Sequence, residues 1–122
     1  MKYVLMFTSM PEFDEAVPPE RAQEVYAQIY QWFVDNNDKF ADSGAELMPI
    51  STATTVKHSE NGPVVVDGPF SEAKEVVGGF SVVDVPDLDA AIELTKTWPS
   101  LALPGVAVEI RPMVEDYSQF EQ

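Results

Sequence analysis

The sequence predicts an α+β fold in which two helices cover one face of a sheet. Two observations lead to this prediction: the order of the predicted elements, and a first strand that is apolar on both faces. The chain has 122 residues, of which 45% are apolar, and this is enough for one domain with its own core. We therefore expect a single domain over residues 1–122.

The chain opens with a predicted strand at residues 3–8, followed by a helix. Both alternating sets of side chains in the strand are apolar, so the strand needs cover on both faces. Residues 18–20, Pro-Pro-Glu, predict the start of a helix, because proline and an acidic residue are favourable in a first turn. We expect this helix to bend at residues 35–38 and to end at Gly44.

The second half of the chain contains a hairpin and another helix between strands. Residues 47–57 are rich in β-branched side chains and predict a strand, which Asn61-Gly62 turns back into a strand at 64–66. A strand at 79–85 follows. The last predicted elements are an N-cap at Asp87, a helix at 88–98 that Pro99 ends, and a strand at 106–113.

The order of these elements is the split βαβ pattern of a ferredoxin-like sandwich with a hairpin extension. Two helices can cover only one face of its sheet, yet the first strand is apolar on both faces. The bare face is therefore predicted to be buried against a second copy of the chain. The expected assembly is a homodimer that forms a dimeric α+β barrel.

The net charge and composition of the chain argue against several classes of binding partner. The net charge is −14, from 21 acidic residues against 7 Lys and Arg, so we expect no binding to nucleic acid or to anionic membranes. No apolar stretch approaches the roughly 20 residues of a membrane span. The chain has no cysteine, which excludes disulfides and fits a cytoplasmic protein.

Residues 67–75 combine a turn with a run of charges. Asp67 can hydrogen-bond within its own turn, Gly68 can take a positive φ, and Pro69 fixes its φ near about −65°. Phe70 then anchors the turn in apolar surface, and Glu72, Lys74 and Glu75 follow it.

The Asp-Gly-Pro-Phe turn belongs to a wider combination of motifs. These are the opening Met-Lys-Tyr-Val-Leu-Met, Gly78-Gly79-Phe80, Asp87-Leu88-Asp89-Ala90-Ala91 and Glu109-Ile110-Arg111-Pro112. With them the chain resembles the DGPF branch of the YCII-related domain family, whose functions are mostly unestablished. A better-known branch is thought to pair a first-helix histidine with an aspartate near the end of the second helix. Here the first helix has no histidine, and Trp98 stands before Pro99, so that pair is not carried over.

His58 and Asp67 are the weak catalytic candidates. His58 is the only histidine, and it is a general base if it lies near Asp67 across the hairpin. The alternative, which we favour, is a surface residue at a strand end. Asp67 is either a buried acid or base, or the ordinary aspartate of a turn, and we favour the turn.

The candidate ligand-binding residues surround the same loop. Glu72, Lys74 and Glu75 converge with Arg111 on a small polar ligand in a cleft, or they form a solvated charged edge. The full candidate set is Asp67, Gly68, Pro69, Phe70, Glu72, Lys74 and Arg111. We expect no metal site, since one histidine and scattered acids offer no ligand spacing, and no cofactor.

An aromatic stripe on the first helix has two interpretations. Tyr26, Tyr30, Trp32 and Phe33 line a pocket for an apolar or aromatic ligand, or they pack in the core. The core interpretation is favoured for Phe33, whereas the hydroxyls of Tyr26 and Tyr30 need polar partners.

Three functions follow from these features. The leading hypothesis is a homodimer with a cleft for a small molecule near the loop at residues 67–75. The first alternative is a small lyase, isomerase or dehalogenase that uses acid and base residues near that loop. The second is an accessory role in sigma-factor-linked transcription, which the resemblance implies because some family members are joined to sigma-factor domains.

Overall fold

A computed structural model of the chain describes residues 1–68 and 75–120. These residues form an α+β fold with a four-stranded sheet and a separate two-stranded sheet. Within them, the strands are β1 (Lys2–Ser9), β2 (Phe40–Glu46), β3 (Thr54–Lys57), β4 (Val64–Asp67), β5 (Val76–Asp84) and β6 (Ala107–Pro112). The α-helices in the same ranges are α1 (Pro11–Asp14), α2 (Pro19–Asp35) and α3 (Leu88–Thr95).

The larger sheet is antiparallel, with the strand order β2-β5-β1-β6. β1 pairs with β5 on one side and with β6 on the other. α2 lies in the connection from β1 to β2, and α3 lies in the connection from β5 to β6. The predicted α+β class is therefore confirmed, with an antiparallel sheet.

One face of the sheet holds the core. Tyr3 and Leu5 of β1 are 2% and 0% exposed, and Val83, which lies opposite Tyr3, is 0% exposed. Burying an aliphatic side chain of this size stabilises the fold by about 1.5–3 kcal/mol. The alternate residues Val4 and Met6 point to the other face and are only half-buried.

α2 starts where the sequence predicts, because Pro18 precedes it and Pro19 is its first residue. Val25 and Trp32 are its buried residues. The indole Nε1 of Trp32 donates a hydrogen bond to Thr97 Oγ1 at 2.7 Å, which satisfies its polar group inside the core. Trp32 thus belongs to the core.

α3 has the predicted N-cap. The Asp87 carboxylate accepts a hydrogen bond from the backbone N–H of Ala90 at 2.9 Å. Ala91 and Leu94 pack on the core at 0% and 7% exposed, and the helix ends at Thr95, before Pro99. No helix within residues 1–68 and 75–120 has the length and apolar character that crossing a membrane requires.

The structure of the region after α2 differs from the helix end and the strand that the sequence predicts there. The expected helix end at Gly44 is wrong, because α2 ends at Asp35 and residues 40–46 form β2, which pairs with β5. The strand predicted at 47–57 is correspondingly reduced to β3 at its last four residues. Asp, Ser and Gly in residues 40–46 have low strand propensity, so pairing with β5 decides the structure of this segment.

β3 and β4 form the predicted hairpin as a two-stranded sheet. Gly62 has a φ of 110°, and its N–H donates to the Ser59 carbonyl at 3.0 Å within the turn. Several valines of this hairpin are exposed, including Val56 at 65% and Val65 at 68%. The hairpin therefore carries apolar surface that the described part of the chain leaves uncovered.

Candidate functional site

A cleft of about 890 Å³ lies between α2 and the helix-facing side of the sheet. Side chains of α2, the end of β1, and parts of β2 and β5 line it, together with residues between α3 and β6. Pockets for small organic molecules usually measure about 300–1,000 Å³. The cleft is therefore large enough for such a ligand.

Four aromatic side chains form an apolar wall of this cleft. Phe7 of β1 stacks on Trp98 with ring centroids 4.1 Å apart. Phe33 of α2 packs against Phe40 at 5.1 Å and meets Trp98 edge to face at 5.9 Å. Aromatic pairs of this kind add about 0.5–1.5 kcal/mol each beyond the burial of their surface. The wall is thus held in place by contacts among its own members.

Glycines line the part of the cleft formed by β2 and β5. A Cβ on Gly44 would lie 1.7 Å from the Phe80 carbonyl oxygen, a distance that excludes any side chain. A Cβ on Gly79 would lie 2.9 Å from the Ala45 carbonyl oxygen. The close approach of the two backbones therefore requires glycine here, and it leaves the strands without side chains at these positions.

Tyr26 and Glu46 form a hydrogen-bonded pair at the mouth of the cleft. Tyr26 projects from α2 and is 59% exposed, while Glu46 ends β2 opposite Gly79. The Tyr26 hydroxyl donates to Glu46 Oε1 at 2.7 Å. This hydrogen bond, partial burial, and the charges of Glu46 and Asp14 raise the pKa of Tyr26 above its ordinary 10.0. Tyr26 is therefore a hydrogen-bond donor at neutral pH.

Asp14 supplies a second carboxylate to the mouth. It ends α1, and its Oδ2 accepts a hydrogen bond from Ser9 Oγ at 2.7 Å. Among the described residues that line the cleft, Asp14 and Glu46 are the charged ones, and none is Lys, Arg or His. A carboxylate offers about four acceptor positions, so each retains acceptor capacity beyond the bond described.

The start of the predicted loop lies at the end of β4. Asp67 is exposed and pairs with Thr54 of β3. Gly68 has the expected positive φ, at 107°, and its N–H donates to the Ala53 carbonyl at 2.7 Å. Its own carbonyl accepts from Thr55 Oγ1 at 2.7 Å. The candidates Pro69, Phe70, Glu72 and Lys74 lie outside the described residues.

His58 and Asp67 lie at opposite ends of the hairpin. β3 and β4 pair Thr54 with Asp67 and Lys57 with Val64, and His58 follows Lys57. Thr54 is the residue opposite Asp67, and the four Cα steps from Thr54 to His58 span about 13 Å. The structure therefore does not bring the two side chains together, and an acid or base role for either stays a prediction.

Arg111 lies on β6, at the edge of the sheet. It pairs with Val4, so it faces away from the helices, and its Nε lies 2.8 Å from Glu109 Oε2. Glu75 precedes β5, whose first residue, Val76, pairs with the far end of β1. The structure thus keeps Arg111 apart from Glu75. In the part of the chain that the structure describes, Asp67, Gly68, His58 and Arg111 are not among the residues that line the cleft.

Part of this cleft corresponds to one of the two interpretations of the aromatic stripe on the first helix. Tyr26, Tyr30 and Phe33 were placed in a stripe that lines a pocket or packs in the core, and all three line the cleft. Glu46 and Asp14 were not identified, because their positions depend on the pairing of β2 with β5 and on the short helix α1. No local sequence signal marks either carboxylate.

Within residues 1–68 and 75–120, no group of three or more His, Cys, Asp or Glu side chains is placed to hold a metal ion.

Comparison with known proteins places the chain in a family. An uncharacterised protein of Rhizobium meliloti (strain 1021) is 29% identical over 105 residues, which cover 82% of this chain and 85% of that protein. The 5-chloro-2-hydroxyhydroquinone dehydrochlorinase of Burkholderia phenoliruptrix AC1100, solved in complex with 2,5-dihydroxybenzoquinone, has a similar fold. It matches with a TM-score of 0.55 and 12% identity, over 97% of this chain and 98% of that chain. The sequence profile of the YCII-related domain matches residues 1–114, and the chain therefore belongs to the YCII-related domain family.

Proposed function

We propose that this protein is a homodimer that binds small, mostly apolar molecules in the cleft between α2 and the sheet. The observation that carries the proposal is the cleft itself, with a volume of about 890 Å³ and an aromatic wall. Small-molecule sites are typically concave and apolar, with a few convergent polar groups. The Tyr26–Glu46 pair and Asp14 supply such groups at the mouth.

The proposed chain fold is a ferredoxin-like sandwich, and the proposed assembly is a dimeric α+β barrel. The strand order β2-β5-β1-β6 with its two helical connections supports the sandwich, with the β3–β4 hairpin as an extension. The similarity to the dehydrochlorinase supports the same chain fold.

The face of the sheet opposite the helices supports the dimer. Val4 and Met6 of β1 share this face with Phe80 and Val82 of β5, because directly paired residues point the same way. Phe80 is 38% exposed although it lies in the middle of the sheet, and Val77 is 42% exposed. We name this surface, defined by Val4, Met6, Val77, Phe80 and Val82, the open face. A two-fold pairing through the open face covers this apolar surface, while α2 and the aromatic wall of the cleft lie on the other side of the sheet and Phe80 borders both surfaces.

Binding in the cleft is tested with a filled variant and a matched control. Ala22 of α2 lines the cleft, whereas Ala27 of the same helix is exposed and is not among the lining residues. We expect Ala22→Phe to weaken the binding of phenol and 2,5-dihydroxybenzoquinone by at least about tenfold, because the ring occupies the ligand volume. Ala27→Phe should leave binding unchanged.

Ligand-detected NMR measures these affinities even when they are in the millimolar range. If neither compound binds the wild-type protein, or if the two variants bind equally well, the cleft is not a small-molecule site. Equal thermal stability of both variants would show that a difference in ligand affinity comes from filling the cleft and not from a damaged fold.

An enzymatic role is the second candidate, and the Tyr26–Glu46 pair favours it. A protonated phenol 2.7 Å from a carboxylate places a proton donor and a proton acceptor in one cleft. The similarity to a dehydrochlorinase makes chloride release from a chlorinated hydroxyhydroquinone the direct assay. Release that Tyr26→Phe and Glu46→Gln both abolish would support this role, and no release above the rate in buffer would exclude this reaction.

A further inference from the structure

We infer that the cleft selects organic cations, in which an aromatic or similarly apolar body carries a protonated amine. This inference rests on the proposed binding function and specifies the ligand class for the same site. The charge around the cleft is negative, because Asp14 and Glu46 are the charged residues among the described residues that line it.

The two carboxylates act on the same region of the mouth. Glu46 accepts the hydrogen bond of the Tyr26 hydroxyl at 2.7 Å, and the charge of Asp14 also acts on Tyr26, whose pKa both carboxylates raise. The Tyr26 hydroxyl therefore marks a point where the negative potential of two groups overlaps. A cation at this point is attracted by both carboxylates, and an anion is repelled by both of them.

Hydrogen-bond chemistry favours the same ligand class. An ammonium group has three donors and no acceptor, and a carboxylate has acceptors only. Tyr26 and Ser9 take one acceptor position each, on Glu46 and Asp14 respectively, so further positions on both carboxylates are available to a ligand. A ligand carboxylate or phosphate would find no cationic partner among the described residues that line the cleft.

The aromatic residues add a third contribution. Tyr30 lies one helical turn after Tyr26, on the same side of α2, and both line the cleft. Their ring faces attract cations, because the electron density above an aromatic ring is negative. The apolar wall that includes Phe33 and Trp98 receives the rest of the ligand. The charged end of the ligand is thus expected at the mouth, with its apolar body inside.

The test uses three compounds with a phenyl body and different charges: 2-phenylethylammonium, 2-phenylethanol and 3-phenylpropanoate. We expect the ammonium compound to bind on the order of tenfold more tightly than the alcohol, and the carboxylate to bind most weakly. High salt should reduce this preference, because the mouth of the cleft is open to solvent.

Matched variants separate the cleft from the general acidity of the chain, which has a net charge of −14. Glu46→Gln keeps the shape of the side chain and should weaken ammonium binding by about fivefold while leaving the alcohol unaffected. Asp14→Asn should act in the same direction. Glu60→Gln removes the same charge from the exposed hairpin loop, outside the cleft, and should leave the binding of all three compounds unchanged.

Each outcome decides between the proposals. If none of the three compounds binds and phenol does not bind either, the proposed function itself fails, whereas binding of phenol without binding of the ammonium compound refutes only the selectivity for cations. If the alcohol or the carboxylate binds as tightly as the ammonium compound, the cleft is a binding site but its selectivity for cations is refuted. The same refutation follows if Glu60→Gln weakens ammonium binding as much as Glu46→Gln and Asp14→Asn do, because the preference then reflects net charge alone.

Discussion

The pKa of Tyr26 reports the negative charge at the mouth of the cleft. Its hydrogen bond to Glu46 favours the protonated phenol, and so do its partial burial and the charges of Glu46 and Asp14. A group whose pKa is raised in the folded state contributes stability that is fully present below its unfolded pKa. That contribution is lost as the pH rises through the folded-state pKa. The relevant window therefore opens above the ordinary value of 10.0.

We predict that Glu46→Gln lowers the pKa of Tyr26 relative to the wild type. The substitution removes the negative charge and the charged acceptor that disfavour the phenolate. The measurement is ultraviolet absorbance of tyrosinate as a function of pH, with Tyr26→Phe subtracted to isolate this residue from the other three tyrosines. An unchanged titration of Tyr26 in Glu46→Gln would contradict the pairing at the mouth.

Gly68 provides a second test, which concerns backbone strain at a positive φ. Its φ of 107° is a conformation that side chains with a Cβ rarely adopt, although no atom lies within 4 Å of a Cβ built there. We therefore expect Gly68→Ala to destabilise the protein by about 1 kcal/mol or more through backbone strain alone. Thermal or urea unfolding measures the change.

Two companion variants control this experiment. Gly78 has no positive φ, and the nearest atom to a Cβ there is the Phe7 carbonyl oxygen at 4.0 Å, so Gly78→Ala should be much milder. Asp67→Asn keeps the turn-forming side chain and should also be mild. If thermal unfolding shows that Asp67→Asn lowers stability more than Gly68→Ala does, this result would favour a functional carboxylate at Asp67.

Single residues differ in how far the sequence determines their roles. The positive φ of Gly68 was predictable, because a turn next to proline gives glycine a local reason. Glu46 and Asp14 were not predictable, since nothing within a few residues of either indicates that both line the same cleft as Tyr26. Their roles arise only when distant segments meet.

Elements with strong local signals are predicted best. α3 is an example, because Asp87 caps it and its buried residues follow helical spacing. We predict that Asp87→Ala costs about 1 kcal/mol of stability, since it removes the acceptor for the Ala90 N–H. Asp89→Ala, in the same first turn but without the cap, should cost only a few tenths of a kcal/mol. Equal losses for the two variants, measured by denaturant unfolding, would show that the cap contributes nothing of its own.

β2 shows why other elements were missed. Residues 40–46 contain Asp, Ser and Gly, so their composition favours a loop or a helix end. The strand exists because β5 offers it a pairing edge, and the close approach of Gly44 to Phe80 belongs to that pairing. A local pattern carries no information about such a partner, and for the same reason the sequence does not identify the cleft that β2 helps to form.

The proposed assembly requires a second copy of the chain to cover the open face. We predict a homodimer in solution and expect Met6→Lys to convert it to a monomer, because the substitution buries a charge in the proposed interface. Val34→Lys is the control, since Val34 is 52% exposed on α2 and lies away from the open face. Light scattering coupled to size exclusion measures the mass of each variant. A wild-type monomer, or dissociation by Val34→Lys alone, would refute this assembly.

The proposed cleft is tested by mapping where a small ligand binds. In an NMR titration of the ¹⁵N-labelled protein with 2-phenylethylammonium, the largest amide shifts are expected at Ala45, Glu46, Gly78 and Gly79, which line the cleft. The amides of Thr55, Lys57 and His58 in the hairpin should change little. Shifts concentrated in the hairpin, or no saturable shifts at all, would contradict a ligand site between α2 and the sheet.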